Sequence, residues 1–123
     1  MRISASLLSS DLLNLESEIK LLKQAGVNAI DIDIMDGHFV PNIAFGIDIV
    51  KQIGMVSELP ITVHLMIDNP EQFIDVISYY NLDYLVVHSE RNRNVESLLE
   101  NIKNKGIGVG LAINPQTKIS DIK

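Results

Sequence analysis

Apolar positions along this chain alternate between two spacings. Over 2–8, 28–35, 60–66, 83–88 and 107–113, Ile, Leu and Val crowd into short runs bounded by turn residues, which predicts five β-strands. Between these runs the apolar residues recur every three to four positions, the helical period. The first such segment places Leu12, Leu15, Ile19 and Leu22 on one face, after a cap at Asp11 and before Gly26. A second helix is predicted around 48–53. In the third, Asn69, Pro70 and Gln72 read as cap, first-position proline and capping-box partner, with Phe73, Ile77 and Tyr80 as the buried face. In the fourth, Asn94 caps a helix carrying Val95, Leu98, Leu99 and Ile102, stopped by Gly106. Strands and helices alternating at intervals of roughly 25–30 residues describe repeated βα units and a parallel sheet.

Such a sheet is either doubly wound or closed into a barrel, and the alternation within the strands favours the barrel. One face collects Ser4 and Ser6, Asp31 and Asp33, Thr62 and His64, Val86 and His88, then Gly108, Gly110 and Asn114. The polar members cluster at the carboxyl ends, where (β/α)8 barrels place their chemistry. Asp31 and Asp33 share that face. Like charges at such spacing repel and are tolerated where water, a cation or a ligand relieves them, so this strand end is a candidate site.

Composition narrows the picture. The 123 residues suit one small domain, 1–123, and a hydrophobic content of 46% with only 5% aromatics suits parallel strands covered by helices. With no cysteine, neither disulfides nor thiolate metal sites enter. A net charge of −6 without any Lys/Arg cluster argues against nucleic acid or an anionic membrane as partner. The apolar runs are short and the amino terminus lacks a signal-like core, so a soluble, cytoplasmic protein is expected. A closed barrel needs eight strands and typically about 250 residues, whereas only five strands are predicted. The chain is therefore expected to be part of a longer product or a truncated remnant, a partial barrel.

Five segments carry a family resemblance: Ser6-Leu-Leu-Ser-Ser-Asp11, the stretch Asp31-Ile-Asp-Ile-Met-Asp-Gly-His-Phe-Val-Pro-Asn42, Val63-His-Leu-Met66, Val87-His-Ser-Glu90 and Gly110-Leu-Ala-Ile-Asn-Pro115. In order and spacing they resemble ribulose-phosphate 3-epimerases. The resemblance implies a (β/α)8 TIM-barrel fold that interconverts ribulose 5-phosphate and xylulose 5-phosphate with a divalent cation, Zn, Fe, Mn or Co. A similar group acts on allulose 6-phosphate.

By position, Asp33 resembles the metal ligand that is also one of two catalytic acid/base groups, and His64 the histidine ligand on the third predicted strand, beside the substrate. Ser6 matches a serine that hydrogen-bonds within the site. Met35 and Met66 match two methionines lying against the substrate, and His38 and Asn42 sit in the loop over the second predicted strand. Where the family pattern has a histidine ligand, this chain has Asp31, which either adapts the site to a harder cation such as Mn or Mg or marks its loss. The second catalytic aspartate, the glycine-rich lid and the phosphate-gripping loops belong to later strands. His88 is expected to hydrogen-bond at the margin of the site or to be structural, and Arg91 and Arg93 to meet a phosphate or simply be solvated. The expected partners are a phosphorylated ketose and further copies of the chain. Two other readings are a non-catalytic half-barrel that self-associates through its open edges and a small enzyme completed across a dimer.

Overall fold

A computed structural model describes residues 1–90 and 94–122. Arg91 and Arg93 lie outside the described residues. Within them the chain forms six strands and four α-helices: β1 (Ser4–Ser6), α1 (Leu15–Gln24), β2 (Ala29–Asp36), β3 (Ile43–Ala44), α2 (Ile47–Val56), β4 (Ile61–Met66), α3 (Glu71–Ile77), β5 (Tyr84–His88), α4 (Val95–Asn104) and β6 (Gly108–Ala112). Five strands pair in parallel in the order β1-β2-β4-β5-β6. This is an α/β fold with the topology of successive βα units of a (β/α)8 barrel wall. No described helix is long and apolar enough to cross a membrane.

The two faces of the sheet differ as the alternation predicts. Ile30, Ile32, Ile61, Val63, Leu65, Leu85 and Val87 are buried on one side, where Ile19, Val50, Ile53, Ile74, Ile77, Leu98 and Ile102 from the four helices pack against them. Burying each such side chain contributes about 1.5–3 kcal/mol, so this layer sets the strand register. On the other side Asp31, Asp33, Met35, Thr62, His64 and Met66 are half-buried.

Helix boundaries depart from the sequence pattern where turns compete for the caps. Asp11 does not cap α1; its carboxylate accepts the Leu13 N–H at 3.0 Å and the Asn14 side-chain amide at 2.8 Å, closing a turn that leaves Leu12 outside the helix. At α3 the expected capping box is absent, because Pro70 occupies the N-cap position and no side chain bonds there. Asn94 caps α4 as expected, accepting the Ser97 N–H at 3.3 Å. The loop after the second predicted strand contains the short strand β3, which folds back antiparallel on β2. Gly37, at φ +74°, makes that reversal possible.

The approach of β6 to β5 depends on glycine. A Cβ on Gly108 would fall 2.6 Å from the Asp83 carbonyl oxygen and 2.7 Å from the Tyr84 ring, which lies across it. Gly108→Ala is therefore expected to lower stability by about 1–3 kcal/mol, the usual cost of overpacking. Urea denaturation of the two proteins checks this; an unchanged midpoint would mean that β6 shifts freely.

Candidate active site

Parallel register brings the candidate residues to one level. Asp33 pairs with His64 across β2 and β4, Met35 pairs with Met66 in the row nearer the loops, and Asp31 pairs with both Ser6 and Thr62 in the row behind. Because side chains alternate, all of these face the open side of the sheet.

The Asp33 carboxylate is held at both oxygens. The Ser6 hydroxyl donates to Oδ2 at 2.7 Å, and His64 Nδ1 meets Oδ1 at 3.2 Å. The His64 contact and, less strongly, Ser6 hold its pKa below the ordinary carboxylate value, against partial burial that pushes it up. Asp33 is thus an ionised, oriented carboxylate at the open end of a barrel strand, able to accept a proton or bind a cation.

From His64 the contacts continue across the sheet. His64 Nε2 lies 2.9 Å from His88 Nε2, and His88 Nδ1 lies 3.1 Å from Glu90 Oε2. The two rings are 19° from parallel with centroids 5.0 Å apart. Most of that separation runs along the line between the nitrogens, so the rings meet edge to edge rather than face to face. Glu90 Oε1 accepts the Asn114 N–H and the Thr117 hydroxyl, both at 2.6 Å. Burial opposes ionisation of Glu90, yet Thr117, Asn114 and His88 together bring its pKa down to about 2. For His88, burial outweighs the pull of Glu90 and lowers the pKa.

A second carboxylate organises the loops. Asp36 Oδ1 accepts the His38 and Phe39 N–H groups at 2.8 and 2.9 Å, and Oδ2 accepts the Asp68 N–H at 2.8 Å. It ties the loop after β2 to the loop after β4. Burial of Asp36 works against these three bonds, which nonetheless keep its pKa low. Asn42 reaches back from that loop to Met35, its amide 3.5 Å from the sulfur, while His38 is exposed and its Nδ1 lies 3.0 Å from the Asp36 carbonyl oxygen of its own turn.

Residues 2–123 match the model of the ribulose-phosphate 3-epimerase family. The chain belongs to that family. Relatives named ribulose-phosphate 3-epimerase include those of Bacillus subtilis (38% identical over 123 residues), Methanocaldococcus jannaschii (39% over 123) and Chlamydia pneumoniae (43% over 117). These alignments cover 100%, 100% and 95% of this chain but 57%, 52% and 51% of the relatives. The chain spans about half the length of the curated relatives it matches.

Within the epimerase family frame, the structure gathers Ser6, Asp33 and His64 into one bonded cluster with Met35 and Met66 beside it. It does not gather Asp31 with them: among the described residues no three His, Asp or Glu side chains converge as a metal shell requires. The pair that is present suits a cation chemically. A carboxylate oxygen and an imidazole nitrogen 3.2 Å apart are close to the roughly 3.3 Å between two donors of a tetrahedral shell with 2.0–2.1 Å bonds. Asp33 and His64 therefore fit as two donors of a divalent-cation site.

The roles of Asp36 and Glu90 are not legible in the hydrophobic pattern. Asp-Gly after a strand is a turn signal, which points to Asp36, and His88-x-Glu90 at a strand end hints at a shared face. Nothing local indicates that Glu90 is held by residues 24 and 27 positions away.

Because the pKa of Glu90 is depressed, its ionised form stabilises the fold at pH values above its ordinary 4.5, and that contribution is lost as pH falls toward about 2. Glu90→Gln should cost about 1–3 kcal/mol at pH 6 and flatten the decline between pH 4.5 and 2. Denaturant unfolding across that range checks it; parallel pH profiles would exclude Glu90 as the anchor.

Proposed function

We propose that this chain carries one side of the active site of a ribulose-phosphate 3-epimerase, which interconverts ribulose 5-phosphate and xylulose 5-phosphate. The observation that supports it best is the ionised Asp33 carboxylate, oriented by Ser6 and His64 at the open strand ends of a chain in that family.

Epimerisation next to a carbonyl breaks a C–H bond, leaves its electron pair in an enediolate, and returns a proton to the opposite face. Asp33 takes the proton on its side. Ser6 fixes the orientation of the Asp33 carboxylate by donating to Oδ2. Met35 and Met66, paired across β2 and β4 one row nearer the loops, offer an apolar wall that keeps water from the reacting carbon. A divalent cation held by Asp33 and His64 would, when bound, stabilise the negative charge developing on the carbonyl oxygen. The group that acts on the opposite face and the seat for the phosphate are assigned to no residue of this sheet.

Exchange of the substrate's C3 hydrogen with deuterated solvent, followed by NMR in the protein carrying this chain, tests the assignment. Asp33→Asn should lower exchange and epimerisation about 10²–10⁴-fold, as loss of an acid/base group does. Exchange at an unchanged rate would remove Asp33 from the reaction.

Asp31 lies one row behind, on the same face as Asp33, at the position where the family resemblance implies a histidine ligand. Asp31→His should strengthen Zn²⁺ binding, because it supplies an imidazole donor where the family pattern has one. Titration calorimetry measures it, and weaker binding in the variant would mean that Asp31 is itself a ligand.

A further inference from the structure

The contacts through His64 and His88 demand more protons than the two rings carry. Three contacts join four groups: Asp33 Oδ1 to His64 Nδ1, His64 Nε2 to His88 Nε2, and His88 Nδ1 to Glu90 Oε2. Ionised carboxylates and unprotonated ring nitrogens only accept, so each contact needs a proton between its heavy atoms or a cation in its place. Two neutral imidazoles bring one proton each. Two contacts are satisfied that way, and the third calls for an added positive charge.

Burial and anchoring decide which contact that is. Glu90 is pinned through its other oxygen by Asn114 and Thr117, so it cannot swing away from His88. The His88 side chain is only 9% exposed and lies against Phe39, with ring centroids 4.6 Å apart. An unprotonated Nδ1 facing that carboxylate would press two acceptors together away from water, which is costly. His88 therefore carries its proton on Nδ1, and its Nε2 accepts. His64 must then present Nε2–H to it. Its own Nδ1 is left with a lone pair aimed at Asp33, and the His64 side chain is 27% exposed against 9% for His88.

We propose that His88 and Glu90 are a positioning pair that holds His64 in its Nε2–H tautomer, so that His64 Nδ1 and the Asp33 carboxylate together form a two-donor seat for a divalent cation. This rests on the assignment of Asp33 and His64 as cation donors made above. Neither His88 nor Glu90 touches the cation; they act through His64, as the outer hydrogen-bond partners of ligating histidines do. Glu90 thereby governs cation affinity from three groups away.

Two measurements on the ¹⁵N-labelled chain at one fixed pH test it, with Zn²⁺ as the probe. In the zinc-loaded protein, imidazole ¹H–¹⁵N correlation spectra should show His88 protonated at Nδ1 and His64 at Nε2, a signature that a merely structural role would not require. By calorimetry, Glu90→Gln should weaken Zn²⁺ binding about 10–100-fold, as should Asp33→Asn. His88 protonated at Nε2, or unchanged affinity in Glu90→Gln, would overturn the positioning role while leaving the seat intact. Zn²⁺ binding that Asp33→Asn does not weaken would remove the seat and the proposal with it. The tautomer measurement uses the unsubstituted protein, so the proposal stays open to refutation even if Glu90→Gln fails to fold.

Discussion

The pairing of β2 with β4 is the constraint on which the rest depends. Asp33 stands opposite His64 only because Ile30 pairs with Ile61, Ile32 with Val63 and Ile34 with Leu65 on the other face. A slip of one residue would send every side chain to the opposite face, burying two carboxylates and a histidine under the helices and exposing the isoleucines. The apolar layer thus does more than stabilise the sheet. It makes the one register that assembles the Asp33 cluster the only inexpensive one.

Charge is arranged around that constraint. A chain with six more acidic than basic residues places carboxylates at intervals across its open face and separates them with imidazoles and donors: Ser6, Asp33, His64, His88, Glu90, then Asn114 and Thr117. The series runs from β1 to the loop after β6 and ties together elements that the sheet joins only through their neighbours. Its far end is anchored, since Glu90 is held by two short bonds, while His64 at the near end is the most exposed of the four side chains. In the proposed cation seat such anchoring matters, because an outer layer held in place aims the ligands it does not touch. Asp36 plays the corresponding part for the loops, accepting three backbone N–H groups and so joining the loop after β2 to the loop after β4.

Much of this was legible from residue order alone. The five parallel strands, the four helices and the shared face of Ser6, Asp33 and His64 follow from local periodicity, which depends only on neighbours a few positions apart. The misplaced α1 start and the missing α3 capping box have a different cause. Several side chains near each helix start compete for the same backbone groups, and the winner depends on the turn that Asp11 closes with Leu13 and Asn14 or on the proline at position 70. The brief strand β3 was hidden because two residues carry no period.

What the sequence by itself determined was the alternation, and with it the fold class and the face on which the polar residues lie. Tertiary structure decided which of those residues meet. Asp31 and Asp33 look equivalent in the strand, but register sets Asp33 against His64 and Asp31 against Thr62. His88, which the pattern left at the margin, enters the cluster through a diagonal contact with His64, and Glu90 is drawn in by a loop more than twenty residues further on. Hydrogen bonds between strands obey geometry across the sheet, and that geometry is set by how the buried isoleucines and valines pack, which no local window of the sequence contains.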